Sequence, residues 1–178
     1  MHEMRRLTRR LALILLSCAS WPLRADDGEL LLEAVFVGRF ASYVQWPPND
    51  RPTFTITVIG NHPIGAQLAR VYADKPIQGK PVRIHTVAQV KDIGTTDMLF
   101  VVSPTVAARQ AAIAHAQDKG ILSVSDIRGF AELGGVIQIN FVGQDARIKI
   151  NYDAAVKSGL HIGAPLLSIA TVLRKSQP

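Results

Sequence analysis

Residues 98–102 read MLFVV, five apolar side chains with no polar break. A surface helix or a half-exposed strand would place polar residues among them at its own period. The unbroken run therefore describes a strand buried on both faces. Such strands sit inside parallel sheets covered by helices, and the flanking segments supply both kinds of element. Residues 54–59 (FTITVI) and 82–87 (VRIHTV) are β-branched and strand-like. Between the two, residues 63–73 carry Ile64, Leu68 and Val71 at helical spacing. Residues 105–119 are alanine-rich and helical, Gly120 stops them, and 121–124 form another short strand. Gly134-Gly135 break the chain before VIQINFV (136–142), Gly143 to Ala146 turn it, and RIKINY (147–152) completes an antiparallel hairpin. The tail predicts a helix, with Gly163 at its entrance, Pro165 in its first turn and an apolar face of Leu166, Leu167, Ile169, Ala170, Val172 and Leu173. The fold class is α/β: a single-domain sandwich, with a mostly parallel sheet flanked by helices and a C-terminal antiparallel hairpin.

The N-terminus is expected to be an export signal. Arg5, Arg6, Arg9 and Arg10 precede the apolar run LALILL (11–16), which is too short to span a bilayer, and cleavage fits after Ala25. Leu15-Leu16-Ser17-Cys18 also resembles a lipoprotein box, so lipid anchoring at Cys18 is the competing reading. The expected organisation is a signal peptide at 1–25 and one domain at 26–178. Five of the 20 Lys and Arg and one of the 14 Asp and Glu lie in the leader, so the mature chain carries a net charge of only +2. That balance gives no basis for nucleic-acid binding. Cys18 is the only cysteine, so an exported chain cleaved at Ala25 has neither disulfides nor a catalytic thiol.

Residues 29–45 read as a mostly apolar helix broken only by Glu29, Glu33, Arg39, Ser42 and Gln45, and stopped by Trp46-Pro47-Pro48. Val35, Phe36, Phe40, Tyr43 and Val44 are expected to pack on the sheet. Arg39 and Trp46 fit the core less readily. Their ordinary roles are a snorkelling arginine and a corner-filling tryptophan; their alternative role is partner contact.

Catalytic signatures are missing from the sequence. Gly60-Asn61-His62-Pro63-Ile64-Gly65 lies where phosphate loops sit, but Ala66 and Gln67 replace the lysine and hydroxyl that such loops need. It reads as a turn and helix start, with Asn61 as its cap. Ser123-Val124-Ser125-Asp126 ends a strand and reads as a turn or cap. No two histidines share ligand spacing, so no metal or cofactor is expected. His85 and His115 are expected to face water. Arg147, Lys149 and Asn151 alternate along one strand face, and with His161 they are candidates for partner or ligand contact, against an ordinary solvated surface.

These landmarks occur in an ordered series. AVFVGRFASYVQWP (34–47) comes first, followed by GNHPIG with Leu68, MLFVV, ILSVSD, Gly134-Gly135 and the tail RIKINYDAAVKSGLHIGAPLLSIATV. The series resembles the YfiR-like family of periplasmic proteins over nearly all of the mature chain. The resemblance implies an α/β fold, location in the periplasm, and regulation rather than catalysis. It implies repression of a membrane diguanylate cyclase, or another sensor protein, through its periplasmic portion. It further implies sequestration by an outer-membrane lipoprotein, and a homodimer. The family's best-known member has disulfides that this mature chain lacks, so redox control is not carried over. A periplasmic small-ligand binding module, with its ligand near Gly60-Asn61 and Ser125-Asp126, is the alternative function. A hydrolase stands last, because no nucleophile–base pair can be assembled from local sequence.

Overall fold

The computed structural model describes residues 25–174. The expected leader, apart from Ala25, lies outside them, as does Cys18. Seven strands form the main sheet in the order β3-β2-β4-β5-β6-β7-β9. These are β2 (Phe54–Ile59), β3 (Val82–Val87), β4 (Met98–Val101), β5 (Leu122–Ser125), β6 (Ile137–Val142), β7 (Asp145–Asn151) and β9 (Thr171–Leu173). Every pairing from β3 to β6 is parallel; β6 and β7 are antiparallel, and β7 pairs with β9 in parallel. Met98 to Val101 are fully buried, as the unbroken apolar run requires.

Alternation divides the strands between two cores. Phe54, Ile56, Val58, Met98, Phe100, Leu122 and Val124 point to one face, where α1 (Ala25–Phe40) and α2 (Ile64–Val71) bury Ala34, Val37, Phe40, Ile64 and Leu68. Ile59, Leu99 and Val101 point to the other, where α3 (Val106–Lys119) contributes Ala112, Ile113 and Ala116. Thr105 caps α3 by accepting from Ala108 N, and Gly120 ends it in the left-handed region. Phe130 also fills the second core. A Cβ on Gly135 would fall 2.0 Å from its ring, so only glycine lets the chain pass there.

The first helix ends earlier than its proline corner implied. After Phe40 the chain tightens into one 3-10 turn (Ala41–Tyr43) and then extends as β1 (Val44–Gln45). Tertiary contacts replace the remaining helical hydrogen bonds. Gln78 Nε2 donates to the carbonyls of Ala41 and Val44 at 2.8 and 3.0 Å, and Gly163 N donates to Tyr43 O at 2.7 Å. β1 pairs antiparallel with β8 (His161–Ile162), forming a second, two-stranded sheet.

The expected C-terminal helix is also shorter. After α4 (Tyr152–Lys157) and β8, α5 spans only Ala164–Ser168, and Thr171–Leu173 become β9. β7 offers an unpaired backbone edge, and the β-branched pair Thr171-Val172 suits a strand better than a helix. The hairpin therefore has a two-residue loop, Gly143-Gln144, and lies one strand inside the sheet.

Candidate functional site

In an open α/β sheet, ligands collect beyond the carboxyl ends of the strands, where successive connections diverge. Here that point lies between β2, which leads outward to β3, and β4, which leads the other way to β5. The loop after β2 starts at Gly60, with φ +113°. A Cβ there would lie 2.8 Å from the backbone oxygen of Val102, just beyond β4. His62, not Asn61, serves the start of α2, its Nδ1 accepting from Ile64 N at 3.3 Å. Its ring tilts over Phe100 at 6.2 Å.

At the end of β5, Ser125 Oγ donates to Val101 O at 2.6 Å and accepts from Ile127 N at 3.1 Å. Ser123 Oγ accepts from Val136 N at 3.0 Å. Both hydroxyls are thus committed to backbone groups; Ser125 takes the expected turn role, whereas Ser123 ties β5 to the chain entering β6. Asp126 is different. Its carbonyl accepts from Asn140 Nδ2, but its carboxylate oxygen Oδ1 is buried without a hydrogen-bond partner among the described residues. Burial raises its pKa, while His62 and its own backbone N–H work in the opposite direction.

Facing it from α1 is Glu33, only 6% exposed. Its Oε1 is likewise buried and unpaired among the described residues. Burial first, then repulsion from Asp126 and from Glu29, push its pKa from 4.5 up to about 8. A chamber of about 170 Å³ lies here, with Glu29, Glu33, Asp126, Arg128, Asn140 and Phe141 in its lining. The sequence placed Glu33 among the polar breaks of an apolar helix. Its position four before Val37 and seven before Phe40 puts it on the buried stripe, and that spacing was the available signal.

The six contact candidates do not gather at this chamber. Arg39 is exposed near the end of α1. Trp46 is half-buried, donates through Nε1 to Asp97 O at 3.1 Å, and meets the Phe54 ring edge-on at 5.4 Å. His161 is exposed on β8 opposite Gln45. Arg147, Lys149 and Asn151 share the β7 face opposite Ile148 and Ile150, as the alternation predicts. Lys149 Nζ pairs with Glu132 at 2.6 Å. Asn151 caps α4, accepting from Ala154 N at 2.9 Å, and donates to Ala131 O at 2.8 Å. His85 is exposed as expected, whereas His115 is half-buried beside Lys119 and Arg51. Among the described residues, no three His, Cys, Asp or Glu side chains are grouped to hold a metal ion.

Residues 31–171 match the family model DUF4154, described as YfiR/HmsC-like. The chain belongs to the YfiR/HmsC-like family. At family level this is a regulatory group tied to cyclic-di-GMP signalling from the periplasm. Among the described residues, no helix of this YfiR/HmsC-like chain is long and apolar enough to cross a membrane. No curated protein matches it. Solved structures share its fold, two of which serve as examples. One is a conserved domain protein from Vibrio cholerae O1 biovar El Tor, 14% identical, with a TM-score of 0.57, covering 82% of this chain. The other is an ABC domain in complex with L-Trp from Streptococcus pneumonia, also 14% identical with a TM-score of 0.57, covering 79% of this chain. The match spans 60% of the length of each of those two proteins.

Proposed function

We propose that the chain is exported to the periplasm and restrains a membrane-bound diguanylate cyclase by binding that enzyme's periplasmic portion. The observation that carries this reading is the family match across residues 31–171. Restraint requires differential affinity: the regulator must bind the inactive arrangement of the sensor more tightly than the active one. Moving a two-state sensor from mostly active to mostly inactive takes roughly a 10⁴-fold preference. Release follows when a second partner, an outer-membrane lipoprotein, captures the regulator, and a homodimer is the binding unit. The basic leader and short apolar run support export. Recovery of a diguanylate cyclase or another membrane sensor with the tagged protein from solubilised membranes is the expected result. Recovery of neither ends the reading.

Partner contact is proposed to use the exposed candidates Arg39, Arg147 and His161. Trp46, Lys149 and Asn151 already hold intramolecular partners. Arg39→Ala is therefore expected to relieve repression with the thermal midpoint unchanged. Trp46→Ala is expected to cost about 2–4 kcal/mol of stability, chiefly through lost packing, since the Asp97 carbonyl keeps its bond from Leu122 N. Cyclase output and thermal melts of both variants check this, and an unfolded Arg39→Ala would return Arg39 to a structural role.

A second reading, a small-ligand module, is favoured by one observation: the chamber beyond the strand ends holds buried polar atoms without partners. A thermal-shift panel of small periplasmic solutes with no response anywhere would end it.

A further inference from the structure

The two orphaned oxygens belong to side chains from different elements that face one space. Glu33 comes from α1 and Asp126 from the turn after β5. A buried carboxylate oxygen without a donor is costly, and proteins seldom keep one without a reason. Two of them beside the same chamber describe the missing object: a group with several N–H donors and a positive charge. Glu29 adds a third carboxylate on the same helix. Arg128 is the single cation in the lining and stands exposed. Asn140 spends one of its two amide N–H groups on Asp126 O, and its Oδ1 accepts from Gln138 at 2.6 Å. Phe141 contributes an apolar wall. The space, about 170 Å³, matches roughly five or six waters' share of liquid volume, hence a ligand of a few heavy atoms. Among the described residues these three carboxylates line the space without forming a three-ligand metal group.

We propose that the chamber between α1 and the carboxyl ends of β5 and β6 binds a small alkylammonium ion, whose N–H groups donate to Glu33 Oε1 and Asp126 Oδ1. The alkyl part lies against Phe141. This deepens the small-ligand reading and is independent of cyclase repression. Binding needs Glu33 ionised, whereas burial, Asp126 and Glu29 keep it protonated up to about pH 8 in the free protein. His62 partly offsets the charge of Asp126, and Arg128 lies at the rim. Ligand uptake therefore releases a proton, and affinity rises with pH until the amine itself deprotonates.

The test uses the full mature chain with n-butylamine and 1,4-diaminobutane, followed by thermal shift and calorimetry. Tetramethylammonium, which has no N–H, and calcium chloride at matched ionic strength are the controls. The expected result is stabilisation by both amines but neither control, with affinity at about pH 6 weaker than at about pH 9 by roughly a hundredfold. Glu33→Gln and Asp126→Asn, both neutral and nearly isosteric, should fold and lose the amine response. An equal response to tetramethylammonium reduces the effect to ionic strength and overturns the proposal. So does a response to calcium alone, or none to either amine. An amine response that survives in both variants leaves the small-ligand reading standing and removes this site from it.

Discussion

Glu33→Gln is expected to make the protein more stable at neutral and alkaline pH and to leave it nearly unchanged at about pH 4. Glu33 is almost fully buried, and its pKa in the folded chain is about 8 against the usual 4.5. Its neutral form is the one the fold accepts. The stability linked to that proton is fully present below about pH 4.5 and is lost as pH rises through about 8. Over that window the linked free energy is on the order of 4–5 kcal/mol. Glutamine keeps the shape and cannot ionise, so the variant should lack this slope. Urea unfolding of both proteins at about pH 4, 7 and 9 would show midpoints that nearly coincide at about pH 4, stand well apart at about 7 and part only a little further by about 9. Asp126 has a raised pKa of its own, so part of the slope survives in the variant. Parallel pH profiles for the two proteins would show that Glu33 is not the buried acid the fold places there.

Much of the sheet was legible because its signals are local. MLFVV marked the double-sided central strand, and β-branched runs marked β2 and β3. Thr105 and Gly120 bracketed α3 to the residue. The failures arose where distant groups decided the outcome. Residues 41–45 carry a helical pattern, yet Gln78 and Gly163 take up the backbone carbonyls and β8 supplies a strand partner. Thr171 to Leu173 looked like the end of an apolar helix until the open edge of β7 claimed them. α2 starts without the Asn61 cap: Pro63 holds the cap position, and His62, against Phe100, accepts from Ile64 N instead. Glu33 is the instructive miss at the site. A lone glutamate in an apolar helix is ordinarily solvated, and only its register with Val37 and Phe40 marks it as buried. Its counterpart Asp126 is ninety-three residues away, and no sequence spacing could have joined them.

Gly60→Ala is expected to cost about 2–5 kcal/mol, from backbone strain and a collision together. Gly60 holds φ +113°, where a side chain is strained whatever surrounds it. A new Cβ would also lie 2.8 Å from the Val102 carbonyl oxygen, which is backbone and cannot rotate aside. Relief requires β2 and β4 to separate at their carboxyl ends, where Val102 N donates to Ile59 O at 3.0 Å. Gly129→Ala is the matched control. Gly129 also has positive φ, +83°, but nothing stands within 4 Å of its added Cβ. Strain alone should then cost about 1–2 kcal/mol. The difference between the two variants, read from guanidinium unfolding, measures how rigidly the strand ends are held together. Equal losses would mean that the sheet opens there at little cost, making the divergence of β2 and β4 a soft joint. A larger loss at Gly60 makes it a fixed frame that holds the ends of β2 and β4 together.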